Sequence, residues 1–260
     1  MILDFRYASS SKLTWYFDHH ATAFASAEER ADFERDGGKH KFYDPHYGSC
    51  TKIIYDVSRA RFDLEDTPEL VELVKWADII DAARFPSAEM AVLREDPPLW
   101  LMTVVENHGD DAFLSRIVPR LLTEPLDEIA RSPEIQAKWA PLRDAHLGFV
   151  DLVKAKSQEM GDVVYVDLTD TVIDVVGKFV TYALFPKSTY SVMLSRGRTR
   201  CKVSVGYNPW SGRERRHDIS KICQRYGGGG HVVVGAIALG ASEIEKAKQI
   251  GLEIMRELNT

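Results

Sequence analysis

The sequence predicts an α/β fold in two parts, an N-terminal parallel sheet with helices and a smaller C-terminal α/β module. Short apolar segments that fit strands alternate with helical repeats of apolar residues, which is typical of parallel sheets. After Gly161 the sequence becomes richer in predicted strands. A chain of 260 residues with 45% hydrophobic and 28% charged residues also has the composition of a folded globular protein.

The first part is predicted to contain two strands and two helices. Along the chain these are strand 1–5, strand 13–17, helix 51–60 and helix 70–81. Ser49 is placed to cap the first of the helices. Prolines recur through residues 86–141, so this region is predicted to form helical hairpins and a connecting helix.

The second part is predicted to alternate strands with helices. The strands are predicted over residues 163–168, 190–195, 201–206 and 232–238, and the helices over 171–185, 218–226 and 242–258. Asp218 is placed to cap the middle helix. We therefore expect a first domain at residues 1–143, a connecting helix at 144–158 and a second domain at 159–260.

Composition excludes several classes of protein. No apolar segment approaches the roughly 18 residues of a membrane helix, and the N-terminal residues do not resemble a signal peptide. The three cysteines are odd in number and form no C-x-x-C pair, so neither a disulfide framework nor a thiolate zinc site is expected. We expect a cytoplasmic protein without a membrane partner.

Charge is distributed unevenly along the chain. The formal net charge is −6, yet residues 159–260 contain 14 basic against 11 acidic residues. The basic excess is concentrated in residues 196–225, which include Arg215 and Arg216. This stretch is either a solvated basic face or a surface that binds an anionic ligand.

Carboxylates and imidazoles follow the predicted strands and helices of the first part. The carboxyl ends of successive elements in a parallel sheet meet at one edge, and the residues placed there are Asp4, Asp18, His19, His20 and Asp78. Hard carboxylate oxygens with one or two imidazoles indicate a Mn²⁺ or Mg²⁺ site rather than a structural zinc site. Such ions support phosphoryl transfer. Taken singly, each residue also fits a structural role at the end of an element.

Four glycines followed by His231 come after the helix that Asp218 is placed to cap. Glycines let the backbone turn its N–H groups toward an anion without a Cβ in the way. We therefore expect Gly228, Gly229, Gly230 and His231 to bind an anionic ligand, with Gly229 at positive φ. The structural alternative is a helix C-cap followed by a turn, for which one glycine suffices.

Asp18-His19-His20 together with Gly227-Gly228-Gly229-Gly230-His231 resembles the paired signature of the DHH phosphoesterases that carry a DHH-associated C-terminal domain. The order and separation of the motifs match, and the resemblance spans nearly the whole chain. The family includes RecJ-like exonucleases, oligoribonucleases, cyclic-dinucleotide phosphodiesterases and exopolyphosphatase-related proteins. The resemblance implies an active site in the cleft between two α/β domains.

The resemblance also implies roles for individual residues, including a two-ion Mn²⁺ or Mg²⁺ site in a complete member of the family. His19 is the preferred metal ligand, and His20 contacts metal or phosphate. The implied metal ligands are Asp4, Asp18, His19 and Asp78; the catalytic residues are Asp18, His19 and His20; and the substrate-binding residues are Arg215, Arg216, Gly228, Gly229, Gly230 and His231.

The first metal-binding motif of the family, His-x-Asp-x-Asp, has no counterpart before Asp4. Either the chain is truncated or it is a degenerate member that has lost part of its ligands. We expect truncation, because a sheet without its first strand would expose an edge.

These observations predict a Mn²⁺-dependent phosphohydrolase that acts on nucleotides or short oligonucleotides. Three aromatic residues among the basic ones favour a nucleotide if they stack on a base, and they carry no such information if they are packed: Tyr207, Trp210 and Tyr226. An exopolyphosphatase or pyrophosphatase is an alternative, and a nucleotide-binding protein without turnover is another. The expected partner is a phosphorylated small molecule or a short nucleic acid, and a homodimer stays open.

Overall fold

The computed structural model describes residues 1–173, 177 and 179–260. They form two compact units, the first comprising Met1–Phe85 and Pro97–Gln136 and the second Pro86–Asp96 and Ala137–Thr260. The elements up to residue 156 are β1 (Ile2–Leu3), β2 (Tyr16–Asp18), α1 (Ala27–Glu34), β3 (Lys41–Tyr43), α2 (Cys50–Arg61), α3 (Pro68–Asp81), α4 (Ala88–Leu93), α5 (Pro97–His108), α6 (Asp111–Leu121), α7 (Leu126–Arg131) and α8 (Pro133–Lys156). The elements that follow are β4 (Ser157–Met160), β5 (Val163–Val172), α9 (Val180–Leu184), β6 (Tyr190–Arg196), β7 (Arg200–Tyr207), α10 (Ile219–Gln224), β8 (Gly229–His231), β9 (Val234–Gly240) and α11 (Ile244–Leu258).

The first unit contains a small sheet of three parallel strands in the order β1-β2-β3. Ile2 pairs with Tyr16 and Leu3 pairs with Phe17, so β1 and β2 run side by side toward the same edge. Asp4 then takes a φ of 54°, a left-handed conformation that aspartate tolerates better than most residues, and β1 ends there. The two strands predicted in this region are confirmed, although both are shorter than expected.

Helices α2 and α3 confirm the two helices predicted for the first part, and Ser49 caps α2 through its side chain as expected. Helix α2 packs against both β2 and α3. After Asp81, the last residue of α3, Ala83 takes a φ of 51° and Arg84 N–H donates to the carbonyl oxygen of Ile79. This left-handed turn satisfies the terminal carbonyls of α3 and sets where the helix stops.

The second unit contains a mixed sheet of six strands in the order β4-β5-β6-β7-β9-β8. Strands β5 and β6 pair in parallel, and the other neighbouring strands pair antiparallel. Helices α10 and α11 pack on one face of this sheet through side chains that include Ile219 and Ile250. The second half of α8 packs on the opposite face through Phe149 and Val153.

Two local predictions in the second part are wrong. The helix predicted over 171–185 is replaced at its start by β5, because Thr171 and Val172 favour extended backbone and Val172 pairs with Arg196. The helical residues there are Val180–Leu184, and residues 174–176 and 178 of the predicted helix lie outside the described residues. The strand predicted over 232–238 instead begins at Val234 as β9, because residues 232 and 233 form the turn that joins it to strand β8 (Gly229–His231).

No helix within the described residues combines the length and the apolar character that crossing a bilayer requires. The longest of them, α8, has 24 residues and includes charged residues in both its first and last turns.

Candidate active site

Asp4, His19 and His20 form a cluster at the edge where β1 and β2 end. One donor atom from each of the three lies within 4.8 Å of the others. Asp4 Oδ1 lies 3.4 Å from His19 Nε2 and 3.8 Å from His20 Nδ1. Parallel pairing of β1 with β2 produces this proximity, because the residues that follow each strand emerge side by side.

The His19 ring is held in one orientation. Its Nδ1 lies 3.1 Å from the carbonyl oxygen of Tyr47, and since a carbonyl can only accept, Nδ1 carries the proton. In the neutral form of the ring, Nε2 therefore presents a lone pair. It is buried without a hydrogen-bond partner and faces two carboxylate oxygens, Asp4 Oδ1 at 3.4 Å and Asp81 Oδ2 at 3.3 Å. A buried lone pair that faces two anionic oxygens fits a bound cation.

Asp81 is the site residue that the sequence interpretation did not select. Asp78 and Asp81 are one helical turn apart on α3 and share a face, so the spacing alone does not distinguish them. The structure brings Asp81 to His19, at the end of the helix. Burial and the nearby Asp4 carboxylate raise the pKa of Asp81. A carboxylate in the last turn of a helix also meets the negative end of the helix dipole, so a cation would stabilise its charged form.

Asp78 has different neighbours. Its Oδ1 accepts a hydrogen bond from Ser49 Oγ at 3.2 Å, and its Oδ2 lies 3.5 Å from the Arg84 guanidinium. The geometry therefore favours Asp81 over Asp78 as the carboxylate beside His19.

Asp18 is fully buried, and both of its carboxylate oxygens are bonded within the protein. Its Oδ1 lies 2.7 Å from His20 Nδ1, and its Oδ2 accepts a hydrogen bond from Tyr16 Oη at 3.0 Å. The hydrogen bond that His20 Nδ1 donates to the Asp18 carboxylate raises the pKa of His20, which is half-exposed. In this arrangement Asp18 orients His20 and stabilises its charged form.

Replacing Asp18 by Asn is expected to lower the pKa of His20 in the metal-free chain, because an amide stabilises the imidazolium less than a carboxylate does. In the parent chain we expect His20 to titrate above its ordinary value of 6.5, so its stabilising contribution is present below pH 6.5 and is lost as the pH rises through the folded pKa. An imidazole NMR titration measures both chains. Tyr16→Phe, which leaves the Asp18 carboxylate in place, should keep the raised pKa; an equal pKa in parent and Asp18→Asn would contradict this role.

The glycine run of the second unit has different requirements at each position. Gly227 has a φ of 77° and Gly230 a φ of 150°. A Cβ on Gly228 would lie 2.3 Å from the Ala236 carbonyl oxygen, and one on Gly230 would lie 2.2 Å from that of Val234. Gly229 has neither restriction: its φ is outside the left-handed region, and a Cβ there would meet nothing within 4 Å. The expectation of positive φ at Gly229 is therefore wrong, because this residue lies in strand β8.

The basic residues selected from the sequence are bonded within the second unit. Arg215 donates to the carbonyl oxygen of His217 at 2.7 Å, and Arg216 donates to Asp162 Oδ2 at 3.0 Å. Arg213 forms an ion pair with the same Asp162. Arg213 and Arg216 thus anchor the segment before α10 to the turn between β4 and β5.

The three aromatic residues of the same region are also engaged. Tyr207 Oη donates to the carbonyl oxygen of Arg213, and Tyr226 Oη donates to Glu253. The Trp210 ring packs edge-on against Phe179, with centroids 5.2 Å apart. These contacts support the packed alternative for the rings over free stacking platforms.

Comparison with solved structures gives extensive matches at low sequence identity. A pGpG-specific phosphodiesterase from Vibrio cholerae superposes with a TM-score of 0.73 at 16% identity, covering 97% of this chain and 81% of that one. An exopolyphosphatase-related protein from Bacteroides fragilis superposes with a TM-score of 0.51 at 14% identity, covering 94% of this chain and 64% of that one. No family model matches the sequence, and no curated protein matches it significantly. The chain thus shares the fold of these two proteins, which confirms the predicted α/β fold in two parts.

Proposed function

We propose that the chain is a metal-dependent phosphohydrolase whose divalent ion is held by Asp4, His19 and Asp81. The observation that carries this proposal is the buried Nε2 of His19, which has no hydrogen-bond partner and faces both carboxylates. Two carboxylates and one imidazole suit Mn²⁺ or Mg²⁺. When bound, such an ion activates water and stabilises charge on a phosphoryl group.

His20 is placed to work on the substrate rather than to hold the ion. Asp18 bonds its Nδ1 and about half of the side chain is exposed, so Nε2 is the ring nitrogen left for a substrate oxygen. Its raised pKa increases the protonated fraction near neutral pH. A protonated His20 donates a charge-assisted hydrogen bond to a phosphate oxygen and, as a general acid, a proton to the leaving oxygen.

Strand β8 is the proposed phosphate-binding element of the second unit. At Gly229 a Cβ would meet no atom within 4 Å, so the fold itself does not require glycine there. A glycine at such a position supports close approach of a ligand to the backbone. His231, exposed at the end of the same strand, adds a donor. The placement of substrate between the two units, the cytoplasmic location and a homodimer all stay predictions.

Nucleotides with a phosphodiester bond are the proposed substrates. The likeness in fold to a pGpG-specific phosphodiesterase supports this class. An exopolyphosphatase is the second candidate, favoured by the engaged aromatic rings of the second unit, because a linear polyphosphate needs no base-stacking surface.

The test is hydrolysis by the purified chain of a pGpG dinucleotide, a short oligoribonucleotide and polyphosphate, each with Mn²⁺, with Mg²⁺ and with chelator. We expect Mn²⁺-dependent release of nucleoside monophosphate, absent in His19→Gln. Release of orthophosphate from polyphosphate, with no hydrolysis of the dinucleotide or the oligoribonucleotide, would establish the exopolyphosphatase. Mn²⁺ and dinucleotide binding without turnover would identify a binding protein, and absence of Mn²⁺ binding would refute the metal site.

A further inference from the structure

The loop that fixes His19 is itself supported by α3. The carbonyl oxygen of Tyr47 accepts a hydrogen bond from the His19 Nδ1–H group. The next two residues, Gly48 and Ser49, lead directly into α2. The Ser49 hydroxyl accepts from Lys52 N–H as the cap of α2 and donates its own proton to Asp78 Oδ1 at 3.2 Å. Ser49 is almost fully buried, so this hydroxyl has little access to water as an alternative partner.

Asp78 also packs closely on Gly48. A Cβ on Gly48 would lie 2.6 Å from Asp78 Oδ1 and 3.0 Å from the Arg84 guanidinium, so a side chain at position 48 would displace the Asp78 carboxylate. The Asp78 carboxylate thus touches both residues that connect Tyr47 to α2. Arg84 lies 3.5 Å from its other oxygen and 60% of its side chain is exposed, so that ion pair contributes little.

We propose that Asp78 is a positioning residue, which holds the segment from Tyr47 to Ser49 so that the Tyr47 carbonyl fixes the tautomer and orientation of His19. This inference rests on the proposed metal site and assigns Asp78 a role outside the ligand set. An outer partner that orients a ligating histidine commonly alters metal affinity by about 10- to 100-fold. In this role Asp78 needs one side-chain oxygen that accepts the hydrogen bond from the Ser49 hydroxyl. Its negative charge is secondary.

Asp78→Ala and Asp78→Asn separate a positioning residue from a ligand. An Asn oxygen still accepts from Ser49, whereas a neutral amide is a poor replacement for a ligating carboxylate. We expect Asp78→Ala to lower Mn²⁺ affinity by about 10-fold or more and Asp78→Asn to stay near the parent value. Glu72→Ala, on the same helix, is the control. Equal losses in the Ala and Asn variants would make Asp78 a ligand, and unchanged affinity in both would remove it from the site.

The second readout is the tautomer of His19 in the metal-free chain, measured by imidazole ¹⁵N shifts and assigned with His19→Gln. The parent should show the Nδ1–H form, Asp78→Ala a mixture, and Asp78→Asn the parent form. If Asp78→Ala fails to fold, Gly48→Ala displaces the carboxylate instead and should give the same mixture; a parent-like tautomer there would overturn the inference. Because no metal is present, this readout distinguishes failure of the positioning role from failure of the metal site.

Discussion

His19→Gln and Asp81→Asn are each expected to remove high-affinity Mn²⁺ binding, with a loss larger than the about 10- to 100-fold that follows removal of an outer partner. Each variant removes one of two proposed metal-ligand atoms, His19 Nε2 and Asp81 Oδ2, which lie 3.3 Å apart. Neither substitution changes the size of the side chain greatly. Titration of the metal-free chain with Mn²⁺, followed by electron paramagnetic resonance, measures the effect. His108→Gln and Glu72→Gln are the matched controls and should bind as the parent does.

The same Asp81→Asn substitution is expected to stabilise the chain in chelator while it weakens metal binding. The pKa of Asp81 is raised in the folded chain, so ionisation of this carboxyl costs stability, and that cost is present once the pH exceeds its folded pKa. An amide removes the cost. Thermal unfolding at neutral pH should therefore give a higher midpoint for Asp81→Asn than for the parent, and a lower midpoint would show that the carboxylate is satisfied without a metal.

Gly230→Val is expected to destabilise the second unit by about 3 kcal/mol or more, whereas Gly229→Val is expected to leave stability unchanged. A Cβ on Gly230 would lie 2.2 Å from the Val234 carbonyl oxygen and 2.5 Å from Gly235 Cα, and the φ of 150° is poorly accessible to valine. At Gly229 the space is open, and valine favours a strand. Urea unfolding of the two variants measures this difference.

Gly229→Val is nevertheless expected to lose dinucleotide binding, because its side chain would occupy the surface where we propose that phosphate approaches the backbone. Binding is measured with a fluorescent dinucleotide in the His19→Gln background, so that turnover does not interfere. The control is Val233→Ala, in the turn that follows β8, because this substitution leaves the glycines intact. Gly212→Val would not serve, since a valine at its φ of 68° is strained. Parent-like affinity in Gly229→Val would exclude β8 as the phosphate site.

Residue order was sufficient to predict the cluster on β1 and β2. Asp18-His19-His20 ends one apolar strand and Asp4 follows another, and parallel pairing with Leu3 opposite Phe17 makes these side chains adjacent. Asp81 could not be selected over Asp78, because both occupy one helical face and the left-handed turn at Ala83 decides where α3 ends.

The interactions of the basic stretch were beyond prediction from sequence for a different reason. Arg216 is bonded to Asp162, which lies 54 positions earlier in the chain, and no local pattern reports such a partner. The positive charge counted in residues 196–225 is thus partly neutralised by the fold itself. The same limit applies to the Trp210 ring, whose contact with Phe179 depends on tertiary packing.

The chain order of the two units has a consequence for biosynthesis. Every side chain of the proposed metal site precedes residue 85, and the first unit is complete at Gln136. Strand β8 emerges about 90 residues later, which at ordinary elongation rates is roughly 5 to 20 s. All three proposed ligands are therefore synthesised several seconds before the glycine strand. The order of synthesis thus separates the ligands of the proposed metal site from the strand that we propose binds phosphate.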